Sequence, residues 1–319
     1  MANALTRRTL GRTGLEVTQL GYGAMELRGA PRGPELTDEQ AGAVLNAVLD
    51  AGINFIDTSP DYGRSEELIG MHLAGRRDEF ILASKCGCPV GEAGTGARHV
   101  YTRENVIAGV EQSLRRMKVD HLDLVQFHGG PSRAVLEEHG AIEALRDLQQ
   151  QGKVRFIGVS ATLPNLPELI AMDVFDEFQI PYSALQREHE AVITAAAKAG
   201  AGTVIRGGVA KGAPADDKPW NLTRPDGVAL TAEAAFTSGE IHERWERAGL
   251  EELAEGIGKM PFMLRFTLTH PDLHTTIVGT SNPAHVFANV EAAKAGPLPA
   301  DVYEEAKRRL AAAGSAPVA

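Results

Sequence analysis

The chain has 319 residues, 43% of them apolar and 23% charged, with a formal net charge of −10. That profile belongs to an ordinary globule with a sizeable core, and it speaks against broad electrostatic attraction to nucleic acid or anionic lipid. No apolar run approaches the roughly 18 residues needed to cross a bilayer, and the N-terminal MANALTRRTLGRTG lacks the hydrophobic segment of a secretory signal.

The elements alternate. TQLGYG (18–23) precedes a helix expected from about Asp38 to Ala51, with Val44, Leu45, Val48 and Leu49 on one stripe. INFID (53–57) reads as a buried strand, stopped by Thr-Ser-Pro-Asp and followed by a helix near 65–73. EFILASK (79–85) leads to a helix near 103–117, and LDLVQFH (122–128) to one near 135–151. RFIGVS (155–160) precedes a short helix near 165–172, and EFQI (177–180) one near 188–199. TVIRGG (203–208) opens an irregular stretch and then helices to about 270, and TTIVGT (275–280) precedes a helix near 283–295. The tail, 296–319, is short and holds a further helix around Lys307-Arg308-Arg309.

The strand segments are β-branched or doubly apolar, as expected of parallel strands covered on both faces. The entrance segment and seven βα units supply eight strands, which favours a (β/α)8 TIM barrel over an open doubly wound sheet. A hairpin, Thr9–Leu10 against Glu16–Val17 across GRTG, is placed to close the barrel floor. With no Pro- or Ser-rich linker, 1–319 reads as one domain. The exceptional connection is the long loop after strand seven, 209–240, of a length that usually serves a function such as a lid.

In a barrel of this kind the site lies at the C-terminal strand ends. Those ends present Asp57, Lys85 and His128, with Tyr62 on the loop after Asp57; Ser160, Gln179, Arg206 and Gly279 end later strands. A lone strand-end aspartate is usually a cap, and a lone tyrosine in a turn is usually packing. Four ionisable groups converging on one mouth are harder to explain as structure. A phenol with a pKa near ~10 is a poor acid at neutral pH unless a cation stabilises its phenolate. Lys85 can supply that cation, Asp57 can anchor it, and His128 can orient a substrate oxygen. The set protonates an alkoxide as it forms from a carbonyl. It contains no nucleophile and no metal cage, and the missing hydride implies a nicotinamide cofactor.

Cys86 and Cys88 stand one residue apart, too close for a good disulfide and, as thiols alone, too few for a structural zinc site. Two reduced thiols in a cytoplasmic protein is the simplest reading. Their place just after Lys85 leaves a small redox or modification role open.

Several stretches together resemble the aldo-keto reductase family: LGRTGLEVTQLGYG, DTSPDYG with Asp57 and Tyr62, ASK with Lys85, LDLVQFH with His128, GKVRFIGVS, TVIRGGVAKG and IVGTSNPAHVFANV. The resemblance runs from about residue 7 to 295. It implies a barrel that binds NADP(H) or NAD(H) in extended form, and a catalytic tetrad of Asp57, Tyr62, Lys85 and His128 with Tyr62 as general acid. Ser160 and Gln179 match positions that hold the nicotinamide carboxamide, although Ala161 replaces a frequent asparagine. Arg206 stands where many members stack an aromatic ring, and its planar guanidinium can stack there instead. Gly207, Gly208, Val209, Ala210, Lys211 and Gly212 resemble the loop around the pyrophosphate. Gly279, Thr280 and Ser281 match the segment beside the adenosine 2′ position, with His285 and Asn289 near the adenine. No Lys or Arg follows Gly279 until Lys294, so the expectation is NADP(H) slightly favoured over NAD(H), with weak discrimination.

Competing patterns fail. GYGAME has Glu26 where a dinucleotide fingerprint needs its third glycine, GEAGTGAR has Ala97-Arg98 in place of Lys-Ser/Thr, and GVSAT has Thr162 in place of the last glycine of a nucleophile elbow. The leading expectation is an enzyme acting on a small-molecule carbonyl or alcohol, with no nucleic-acid or membrane partner. The alternatives are a Schiff-base lyase or aldolase through Lys85 and a cofactor-sensing regulatory subunit. Tyr101 and Trp220 are the large side chains placed to line a substrate pocket. The substrate itself and the oligomeric state are not legible.

Overall fold

A computed structural model describes residues 4–29, 35–91, 98–210 and 238–318. The expected site residues Lys211, Gly212 and Trp220, and most of the long loop at 209–240, lie outside the described residues.

Eight strands form a closed, all-parallel barrel: β3 (Leu20–Gly23), β4 (Phe55–Asp57), β5 (Ile81–Cys86), β6 (Leu122–Phe127), β7 (Val154–Ser160), β8 (Glu177–Pro181), β9 (Gly202–Arg206) and β10 (Thr275–Val278), the last pairing back onto β3. Helices expected from the apolar stripes follow the strands, among them α1 (Asp38–Asp50), α2 (Ser65–His72) and α3 (Arg103–Met117). Thr37 starts α1 with a reciprocal capping box to Gln40, and Thr102 caps α3. One expected helix, 135–151, is two: α4 (Arg133–Glu138) and α5 (Ala141–Gln150), separated at Gly140, whose φ of +64° ends one helical path before the next begins.

Strand parity divides the core. Ile56, Leu82, Val125, Phe127, Phe178 and Ile205 face outward and join the large cluster formed with the helices. The alternate residues Phe55, Ala83, Leu124 and Val204 face inward and meet Leu10, Leu15 and Val17 from the N-terminal hairpin in a second, smaller core. That hairpin pairs β1 (Arg7–Thr9) with β2 (Glu16–Thr18) in the register Thr9↔Glu16. Its turn seats against the start of β9: a Cβ on Gly11 would lie 2.2 Å from the Gly202 nitrogen, and Gly11 has φ +49°. The floor is therefore a dry plug, and polar side chains on the same inward faces are left for the opposite end.

Candidate active site

Two residues beyond the plug, the inward positions turn polar. Phe55 is followed on its face by Asp57, Ala83 by Lys85, and Leu124 by Gln126. The Lys85 ammonium donates to both Asp57 carboxylate oxygens at 2.7 Å and to the Thr58 carbonyl at 3.0 Å, and both side chains are almost fully buried. Gln179 and Gln126 also donate to Asp57, at 2.9 and 3.3 Å. A buried carboxylate surrounded by donors is held in one orientation, and it holds the lysine in turn. Gln126 and Glu177 lie outside the set of residues expected from the sequence. The Glu177 carboxyl fills the space left by Gly158, where a Cβ would lie 2.1 Å from its oxygen. Burial, with the Asp57 charge nearby, pushes the Glu177 carboxyl well above the ordinary range, which favours its neutral form.

Tyr62 lies on the loop after β4, with the Lys85 ammonium 5.8 Å from its ring centroid. Its phenol is pushed up, by burial first and then by the Asp57 charge, while the Arg206 guanidinium opposes the shift. Lys85 is the cation expected to compensate the phenolate. Here the Lys85 ammonium is paired with Asp57, and the Arg206 guanidinium is a second cation near the phenol. Tyr62 therefore keeps its proton at neutral pH and can yield it only to a strong base such as a nascent alkoxide.

The ring of His128, just past β6, stands edge-on to Tyr62 with centroids 6.1 Å apart at 87°. Burial pushes the imidazole down to about 4, so it is neutral at pH 7. Its Nδ1 faces a group absent from the sequence expectations: Asp61 Oδ2 at 3.3 Å, His99 Nε2 at 3.2 Å, Cys88 Sγ at 3.5 Å and Ser59 Oγ at 3.4 Å. Its Nε2 has no hydrogen-bond partner among the described residues and belongs to a ring that is 19% exposed. Burial acts to raise the Asp61 carboxyl, but hydrogen bonds from His128 and His99 outweigh it and hold the group below the ordinary range. Besides Cys88, the local signals for this cluster are glycines. A Cβ on Gly129 would meet the His99 ring at 2.6 Å, and one on Gly87 would meet the Tyr101 ring at 2.6 Å. Tyr101, expected as a pocket wall, donates its hydroxyl to the His128 carbonyl and braces that backbone.

The other expected residues within the described chain lie at the strand ends and the loops that follow them. Ser160 donates to Gln179 at 3.1 Å, so this pair is already linked to Asp57 through the Gln179 amide. Gly207 has φ +71°, and a Cβ there would meet nothing within 4 Å. Gly208 accepts from Thr267 at 2.6 Å, and Val209 is buried. Gly279 is tight: a Cβ would lie 2.7 Å from the Gly23 carbonyl oxygen and 3.2 Å from the Glu26 side chain. Tyr22 donates to the Thr280 carbonyl at 2.8 Å, and Thr280 Oγ1 is 3.4 Å from His285 Nδ1. Thr280 and Asn289 line one small recess, Ser281 is half-buried beside it, and His285 is exposed. Polar side chains, close-set backbone and open space at Gly207 among these ends and loops fit an extended dinucleotide.

A closed parallel barrel with its ionisable groups gathered at one mouth is the arrangement of a barrel enzyme. The family model described as Aldo/keto reductase family matches residues 19–310, and the chain belongs to that family. It is 28% identical over 294 residues to the uncharacterized oxidoreductase YqkF of Bacillus subtilis, covering 91% of this chain and 92% of that one. It is also 28% identical over 325 residues to a D-threo-aldose 1-dehydrogenase from Pseudomonas sp, covering 93% and 95%. Among solved structures, the holo form of aldo-keto reductase AKR11C1 from Bacillus halodurans aligns over 96% of both chains at TM-score 0.79 and 28% identity. The protein is thus an NAD(P)-dependent oxidoreductase of a family acting on small-molecule carbonyl substrates. No helix among the described residues is long and apolar enough to cross a membrane.

Proposed function

We propose that the protein interconverts an aldehyde or ketone and its alcohol, with Tyr62 as general acid toward the carbonyl oxygen. The observation that carries this reading is the anchored Asp57–Lys85 pair beneath Tyr62, with neutral His128 edge-on to the same ring. When bound, the nicotinamide supplies the hydride that no side chain can provide. His128 presents its free Nε2 edge to the substrate oxygen and fixes its direction. Tyr62 releases its proton as negative charge develops there, and Arg206 and Lys85 stabilise the phenolate that remains. Asp57, held by two glutamines, keeps the ammonium in place throughout. Ser160 and Gln179 would hold the carboxamide, Arg206 the ring, and 279–281 the adenosine end, with His285 and Asn289 beside the adenine.

The lyase alternative requires a neutral lysine with a free lone pair. All three N–H bonds of Lys85 face acceptors at 2.7–3.0 Å, the bonding of an ammonium, which disfavours imine formation. For the coenzyme we propose NADP(H) with weak discrimination. Thr280, Ser281 and backbone N–H groups are the phosphate donors on offer, and the Glu26 side chain lies against Gly279. A panel of aldehydes, ketones and aldoses assayed with both reduced coenzymes tests the reading. Coenzyme oxidation dependent on a carbonyl compound is expected, whereas a borohydride-trapped adduct on Lys85 with no coenzyme turnover would overturn it.

A further inference from the structure

Four potential metal-ligand atoms converge behind His128: Asp61 Oδ2, Cys88 Sγ, His99 Nε2 and His128 Nδ1, all within 4.8 Å of one another. Four of their separations are 3.2 Å (His99 to His128), 3.2 Å (His99 to Asp61), 3.3 Å (His128 to Asp61) and 3.5 Å (Cys88 to His128). A tetrahedron with zinc bonds of about 2.0–2.1 Å to nitrogen and oxygen and about 2.3 Å to sulfur has edges of about 3.3–3.6 Å. These four spacings lie close to those edges, with the sulfur on the longest of them, and the remaining two, from Cys88 Sγ to Asp61 and to His99, are within 4.8 Å. Hydrogen bonding accounts for the two imidazoles on Asp61; the Cys88 thiol directed at the same His128 nitrogen supplies a fourth donor of a type that binds zinc.

We propose that Asp61, Cys88, His99 and His128 form a site for one divalent cation of the zinc class. The donor set is mixed: one sulfur, two imidazoles and one carboxylate suit zinc, and they do not suit the all-oxygen preference of magnesium or calcium. On binding, the Cys88 S–H bond breaks, its proton leaves to solvent and the thiolate sulfur bonds the ion. Carboxylate and thiolate then offset the 2+ charge, and the site becomes neutral overall, as a buried centre requires. Ser59 Oγ lies 3.7 Å from Cys88 Sγ and can donate to the thiolate as a second layer of support. The His99 and His128 side chains are 22% and 19% exposed, which gives an ion a path from the mouth.

The assignment rests on ligand geometry. Its consequence for the reaction rests on the proposed function: an ion on Nδ1 would force the remaining proton of His128 onto Nε2, making that edge a permanent donor toward the substrate oxygen.

The test titrates chelator-treated protein with Co2+, then with Zn2+ in competition. One ion per chain is expected, with visible bands of tetrahedral intensity and a near-ultraviolet sulfur-to-cobalt band, all bleached by Zn2+ and untouched by excess Mg2+. Cys88→Ser should lose the sulfur band, and His99→Ala should weaken binding by at least about 100-fold; circular dichroism confirms that each variant is folded. Tyr62→Phe should leave the cobalt spectrum unchanged, so that a failed function reading and a failed metal reading give different results. Absence of stoichiometric binding, or a spectrum identical in Cys88→Ser, would overturn the assignment.

Discussion

At the scale of single residues, the deepest commitment is the Asp57–Lys85 pair. Lys85→Met removes the cation and leaves the Asp57 carboxylate buried with two glutamine amides as its remaining donors. Breaking one side of a buried ion pair costs about 3–5 kcal/mol, so denaturant unfolding should report a loss of that size. A loss below about 1 kcal/mol would mean that the glutamines alone hold Asp57. Asp57, Lys85 and His128 were legible in the sequence because each ends an apolar strand segment, and period-two alternation then states which way each points. The grouping of Asp61, Cys88 and His99 was not legible, since Asp61 lies in the loop after β4 while Cys88 and His99 lie eleven residues apart in the connection after β5, and they meet only in space. Cys86 and Cys88 show the limit best. Read as a pair, they say little; in the structure Cys86 belongs to the outer core while Cys88 turns into the polar cluster.

At the scale of elements, the hairpin decides where the polar groups can be. Leu10 is fully buried in the floor core with Phe55, Ala83, Leu124 and Val204. Leu10→Ala should cost about 2–5 kcal/mol while leaving kcat/KM of the folded enzyme nearly unchanged, because the floor lies at the far end from the mouth. Thermal melts beside steady-state kinetics check both halves; a large fall in kcat/KM with no loss of stability would mean that the plug reaches the site. The hairpin was readable from GRTG between two strand-like stretches. The division of the helix at 135–151 was not, because an apolar stripe continues across Gly140 and periodicity alone does not reveal a left-handed residue within it.

At the scale of the whole molecule, the eight-strand count and the alternation of elements carried the barrel, since right-handed βα units of this number have one closed solution. Coenzyme choice belongs to this scale too, because it depends on a rim assembled from both ends of the chain, with Gly23 and Glu26 against Gly279. With hydroxyls in place of a cation at 280–281, the two reduced coenzymes should differ by about 10-fold or less in Kd, roughly 1.4 kcal/mol. Fluorescence titration reads this directly, and a preference above about a thousandfold would mean a cation elsewhere reaches the 2′-phosphate. The most direct measurement of the central claim is single-turnover carbonyl reduction by Tyr62→Phe with coenzyme bound. The phenyl ring preserves the ring packing against His128 and Lys85 and removes the hydroxyl that carries the acidic proton. The predicted result is unchanged coenzyme affinity with a rate lower by at least about 100-fold; a near-normal rate with coenzyme bound would contradict the assignment of Tyr62 as the acid.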